Sequence, residues 1–185
     1  MKLTRLVGAL SASAPRKIAM KFRQDCCIAA TRIAVRVLTA NGYQAMAQPT
    51  KLVVYNKALW TRIVSRGFNG EFAPDEWSVG IGYGVPVSQP SDRIPYDAHL
   101  VAIVKDDTAS YIVDLSFGQV SRPNRQMTMP QALAVRLREW PQRFAINECV
   151  GQYEKDDNER YLVAPDWMES ERTEPIIEQL VKELK

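Results

Sequence analysis

Three side chains in this sequence have the types and the order that nucleophilic acyl chemistry requires: Cys27, His99 and Asp114. A thiol attacks a carbonyl as its thiolate. A helix N-terminus favours that form through partial positive charge and unpaired N–H groups. Asp25 is a good helix cap, Ile28, Ala29, Ala30, Ile33, Ala34, Val35, Val37 and Leu38 follow it, and Asn41-Gly42 supplies a stop. Cys27 then lies in the first turn of a helix buried over most of its circumference, with Arg32, Arg36 and Thr39 forming a narrow polar strip. The competing fate for Cys27 is that of a small apolar core residue.

His99, the only histidine, opens the β-type run 100–104, and Asp114 closes the run beginning at Tyr111. The turn-rich stretch 105–110 reads as a hairpin loop. A hairpin centred between Asp106 and Asp107 places His99 directly across from Asp114, on one face, with Cβ atoms about 4.5–5.5 Å apart. A carboxylate there fixes the imidazole tautomer and supports the imidazolium formed when the base takes a proton from the thiol. A slip of one residue in register would separate the pair onto opposite faces.

The elements that must hold these groups are less uniform. The opening to about Arg23 reads as a helix or two short helices around Pro15. Short strands are expected at 52–55, 78–85, 100–104 and 111–115. The Pro-rich loop 85–98 ends against His99, as either a surface connection or a lid. Pro130 suits the first turn of a helix running to about Trp140, 161–163 could add a strand, and Thr173 with Pro175 opens a final helix bearing Ile176, Ile177, Leu180, Val181 and Leu184. The order is helix, antiparallel sheet, helices: an α+β domain over 1–185, with an N-terminal helical segment 1–23, a core 24–123 and a helical part 124–185.

The stretch AHLVAIV…YIVDLSFGQ, with a cysteine opening a helix that ends at Gly42-Tyr43, resembles the Cys-His-Asp core of transglutaminase-like proteins and, around the His and Asp, of arylamine N-acetyltransferases. The resemblance spans roughly 23–123. It implies a papain/transglutaminase-like fold, in which a buried nucleophile helix packs on an antiparallel sheet, with Cys27 as nucleophile, His99 as general base and acid, and Asp114 as orienting carboxylate. Where the acetyltransferases carry Arg-Gly-Gly before the cysteine, this chain has Phe22-Arg23-Gln24-Asp25-Cys26, which argues against acetyl-coenzyme A as the donor; no cofactor is expected.

Acyl transfer also needs an oxyanion hole. The Cys27 N–H is one candidate donor, Gln24 or Gln119 a second, and Trp77 a candidate pocket wall or core residue. The partner expected is a protein, peptide or small molecule bearing an amide, isopeptide, ester or thioester, cleaved by water or transferred to an amine. Two other readings compete: a non-catalytic interaction module that keeps the fold, and a metal site built from Cys26, Cys27, His99 and Asp114, for which one histidine leaves too few ligands. The stripe continuing from Cys27 through Ala30, Thr31, Ala34 and Leu38 points to the sheet, whereas that from Cys26 drifts toward the polar strip.

Composition narrows the class. The chain has 185 residues with four Trp, seven Tyr and five Phe, enough to bury a core without disulfide or metal staples. A net charge of +3, with Lys and Arg scattered, argues against a nucleic-acid partner. No stretch approaches the length of a membrane span. The opening resembles a secretion signal, but its apolar run is short of the usual h-region. Three cysteines without a metal or disulfide spacing favour a reducing cytoplasm.

Overall fold

The computed structural model describes residues 2–22, 26–83, 96–123, 127–169 and 171–185. Helix α1 (Leu3–Ala19) buries Leu3, Leu6, Val7, Leu10, Ala14 and Ile18, one stripe at helical spacing, and continues through Pro15 as a single helix. Helix α2 (Cys27–Ala40) buries eight of its residues and stops where expected, with Asn41 at the cap and Gly42 at a φ of 86° that favours glycine. Its N-cap is Cys26, one residue later than the cap expected at Asp25, and Cys27 is the first helical residue. Asp25 and Gln24 lie outside the described residues.

An antiparallel sheet fills the middle of the chain. Strands β1 (Gln44–Asn56), β3 (His99–Lys105), β4 (Ser110–Asp114), β5 (Leu133–Leu137), β6 (Gln142–Ile146) and β7 (Cys149–Lys155) take the order β5-β4-β3-β1-β7-β6, and β2 (Ser78–Ile81) pairs with β1 beyond the end of β3. Helix α3 (Lys57–Arg66) links β1 to β2, capped by Asn56, whose side chain accepts from the Leu59 N–H at 3.1 Å. The outer strands β5 and β6 are joined by residues 138–141, with the Arg138 N–H donating to Gln142 Oε1 at 2.8 Å, so the sheet curls until it is nearly closed.

Alternation along each strand gives the sheet two unlike faces. Leu100, Ala102 and Val104 of β3, Ala45 and Ala47 of β1 and Val113 of β4 face the helices. Leu52, Val54, Val101, Ile103, Ile112, Phe144 and Tyr153 fill the inside of the curl. Helix α5 (Glu174–Glu183) begins after Thr173 as expected and packs Ile176, Ile177 and Leu180 against α1 and α2. Arg32 and Arg36 are not simply a solvated strip, since both reach Glu174 of α5 and Arg32 Nε donates to Thr173 Oγ1 at 3.0 Å.

The helical reading of 124–185 is corrected. Residues 133–137 form β5, paired with β4 from Ser110↔Leu137 to Asp114↔Leu133, and β6 and β7 follow before α4 (Pro165–Met168) and α5. Leu-Ala-Val-Arg-Leu has good helix formers, but its burial alternates with period two, and Leu133 and Leu137 join the inner core, so pairing overrides propensity. Residues 161–163 lie not in a strand but in a 3-10 helix, Glu159–Val163. The strand expected over 78–85 ends at Ile81, and most of the loop 85–98 lies outside the described residues.

Gly151 faces Phe144 across β6 and β7, and a Cβ built there would sit 2.0 Å from the ring. Phe144 in turn stacks on Tyr153 with centroids 5.2 Å apart. Gly151→Ala is therefore expected to lower the unfolding free energy by about 1–3 kcal/mol through overpacking. Urea unfolding followed by far-UV dichroism measures it, and an unchanged midpoint would contradict the packing of the ring over the glycine.

Candidate active site

The hairpin that carries the base and carboxylate is centred one residue later than its sequence suggests. Asp106 Oδ1 accepts from the N–H groups of Thr108 and Ala109 and from the Thr108 hydroxyl, and the Asp106 N–H donates to the Ala109 carbonyl. This Asx turn makes 106–109 the loop and sets the pairing Lys105↔Ser110 through Ala102↔Val113. Asp114 is thus diagonal to His99 rather than directly opposite. The displacement is two residues along the partner strand, an even number, so both side chains keep the same face.

That shared face is the inner one, since His99 has the parity of Val101 and Ile103 and Asp114 that of Ile112. His99 Nε2 lies 2.6 Å from Asp114 Oδ2, and both side chains are fully buried. Asp114 Oδ2 also accepts the Tyr153 hydroxyl at 2.8 Å, while Oδ1 accepts the Ser116 N–H and hydroxyl, each at 2.9 Å. Tyr153 lies nearly parallel to the imidazole, at 14° with centroids 6.4 Å apart. Burial, the Asp114 charge and its hydrogen bond raise the Tyr153 phenol well above its ordinary value, so it remains a donor.

Sequence reasoning missed Tyr153 and Ser116. Ser116 could have been found, because a Ser two residues after an Asp is a common local partner for its carboxylate. Tyr153 offered only the alternation Cys149, Gly151, Tyr153 in β7, with nothing to connect it to a residue 39 positions earlier.

Cys27 approaches from the other side. Thr31 Oγ1 donates to the Leu100 carbonyl at 2.7 Å, fixing α2 against the start of β3. One helical turn earlier, Cys27 packs with Leu100 and Tyr161 near the strand end that His99 opens. The thiol therefore meets the imidazole around the end of β3, not through the sheet. His99 Nδ1 is buried and makes no hydrogen bond among the described residues, and Cys27 is one of the smaller influences that raise the imidazole's pKa.

Cys26 turns elsewhere: it is buried with Phe22, Ile33 and the α1 core, not on the polar strip. The two thiols thus have different neighbours, and among the described residues no three His, Cys, Asp or Glu side chains are grouped as metal ligands. None of the three cysteines forms a disulfide. Trp77 packs with the inner core, beside Leu52 and Val79, outside the cluster around Cys27. Gln119 lies in a 3-10 helix, Phe117–Val120, and its Nε2 is buried with no hydrogen-bond partner among the described residues. Gln24 lies outside the described residues. No described helix is long and apolar enough to cross a membrane.

Burial alone would lower the His99 pKa, but the Asp114 charge and hydrogen bond, with a smaller contribution from Cys27, raise it from 6.5 to about 10. Asp114 moves the other way: burial opposes its charge, while His99, Ser116 and Tyr153 hold it below its ordinary value. His99 thus contributes stability that is complete below pH 6.5 and is lost as pH rises through about 10. Because His99 is the sole histidine, its ring resonances are unambiguous. Their NMR shifts should show an imidazolium throughout pH 6 to 8, and a midpoint near 6.5 would refute the charged pair.

Comparison of the chain with protein-family models, with curated proteins and with solved structures finds no match in any of the three.

Proposed function

We propose that this chain is a cysteine-dependent acyl-transfer enzyme of transglutaminase-like type, acting on an amide, ester or thioester through Cys27, His99 and Asp114. The observation that carries the reading is the fully buried imidazole held at Nε2 by Asp114, with Cys27 at the first position of α2 near enough to add to the imidazole's raised pKa. An interaction module has no use for a buried ionic pair beside a thiol. Surface tolerance would permit its loss, and burying it is costly.

In the reaction, the Cys27 proton already rests on His99 as the imidazolium, and the Cys27 thiolate attacks the carbonyl carbon. The Cys27 N–H is one of the four that helix geometry leaves without an internal acceptor, so it can bond the developing oxyanion. Gln119, whose Nε2 is buried without a hydrogen-bond partner among the described residues, is the candidate second donor. The intermediate collapses with the His99 Nδ1 proton going to the leaving amine, alcohol or thiol, which leaves a thioester on Cys27. Water or an amine then attacks that thioester and gives its proton to the now neutral His99, and the sulfur leaves as thiolate, restoring the thiolate–imidazolium pair. Asp114 stays ionised throughout and holds the ring in orientation.

Limiting iodoacetamide near neutral pH is expected to label Cys27 ahead of Cys26 and Cys149, more slowly in His99→Ala. With an activated ester, Cys27→Ala and His99→Ala should lose turnover, Asp114→Asn should fall by on the order of 10²–10⁴, and Cys26→Ala should keep most of it. Labelling of Cys26, with turnover surviving in Cys27→Ala, would overturn the assignment. The acyl acceptor is water or an amine-bearing peptide. Saturable, Cys27-dependent acetyl transfer from acetyl-coenzyme A to simple arylamines would instead favour the acetyltransferase reading.

A further inference from the structure

The side chains packed around the thiol come from a part of the chain with no role in the triad. Tyr161 contacts Trp167 edge-on at 4.8 Å and Tyr96 edge-on at 6.4 Å, and the three pack with Cys27, Leu100 and Ile28 in a cluster separate from both main cores. Tyr96 and Trp167 are half-buried, so this wall runs from the thiol to the surface. Polar contacts set its position. The Tyr96 hydroxyl donates to the Asn158 carbonyl at 3.2 Å, Gln48 Nε2 donates to the Asp156 carbonyl at 3.1 Å, and Arg32, from the second turn of α2, donates to the Trp167 carbonyl. The helix that presents Cys27 therefore also holds the aromatic segment beside it.

We propose, resting on the acyl-transfer reading, that Tyr96, Tyr161 and Trp167 form the acyl-binding wall of the Cys27 site, and that the enzyme selects donors with a bulky, uncharged apolar or aromatic acyl group over acetyl donors. An apolar group placed there displaces water from the half-buried Tyr96 and Trp167 rings, whereas an acetyl group reaches little of them. Each added methylene in such a wall is worth about 10- to 200-fold in specificity when fully enclosed, and less when one side is open.

A p-nitrophenyl ester series with acetyl, hexanoyl and phenylacetyl groups tests this, because the leaving group is constant. In each case a thioester forms at Cys27 as p-nitrophenolate leaves, and water then releases the carboxylic acid. The full chain should show kcat/KM at least tenfold higher for hexanoyl and phenylacetyl than for acetyl. Trp167→Ala should shrink that ratio about tenfold, and Trp167→Phe should give an intermediate ratio if the alanine variant is poorly folded. A flat series with Cys27-dependent turnover, or a Trp167→Ala loss equal for all three esters, would overturn the wall and leave the triad standing. Absence of any Cys27-dependent turnover would remove the acyl-transfer reading itself.

Discussion

The structure is organised around one buried charge. Asp114 is out of contact with water and ionised, a state that costs several kcal/mol unless its oxygens are fully engaged. Four donors engage them: His99 and Tyr153 on Oδ2, and the Ser116 N–H and hydroxyl on Oδ1. Each donor comes from a different structural commitment. Ser116 requires the chain to turn directly after β4, His99 requires the β3–β4 register, and Tyr153 requires β7 to lie across β1 from β3. The curl of the sheet is what lets strands not adjacent in the pairing order reach one carboxylate. Removing any one donor leaves a buried acceptor short, so the carboxylate ties the sheet's curvature to the orientation of the imidazole.

A second constraint is that the thiol and the imidazole belong to opposite faces of the same sheet. α2 packs on the face of Leu100, Ala102 and Val104, while His99 projects to the inner face. They can meet only where a strand ends, and β3 begins at His99. Starting α2 four residues before the Thr31–Leu100 contact puts its N-terminus at that same edge. The helix end supplies its unpaired N–H groups where the sulfur is, and the strand end supplies the imidazole. Neither element could be shifted by a turn or a residue pair without separating them.

How much of this was legible in the sequence depends on whether the signal was local. The apolar run of α2 with its Asn-Gly stop, the runs at 100–104 and 111–115, and the last helix were readable because each is fixed by its own periodicity and caps. β1 was half-seen: residues 52–55 are apolar, but Gln44, Gln48 and Pro49 are strand only because β3 pairs with them. β5 was read as a helix because Leu, Ala and Arg favour one, and only β4 alongside decides otherwise. The His99–Asp114 pair was legible, and its shared face survived a mistaken turn because the error was even. Tyr153 was not legible, since its role exists only after three strands have closed around Asp114.

The same logic explains the place of Arg32 on the largely apolar helix α2. Arg32 is partly buried, which is costly for a cation unless its fork is satisfied. It donates to the Trp167 carbonyl and the Thr173 hydroxyl and pairs with Glu174, three groups spanning the end of α4 and the start of α5. A leucine there would pack, but would leave that carbonyl without this donor and the segment 158–168 without its tie to α2. The charge converts a sequence-distant loop into a fixed neighbour of α2. Cys27 at the tip of α2 and Trp167 beside it thus hold their relative position through one rigid element.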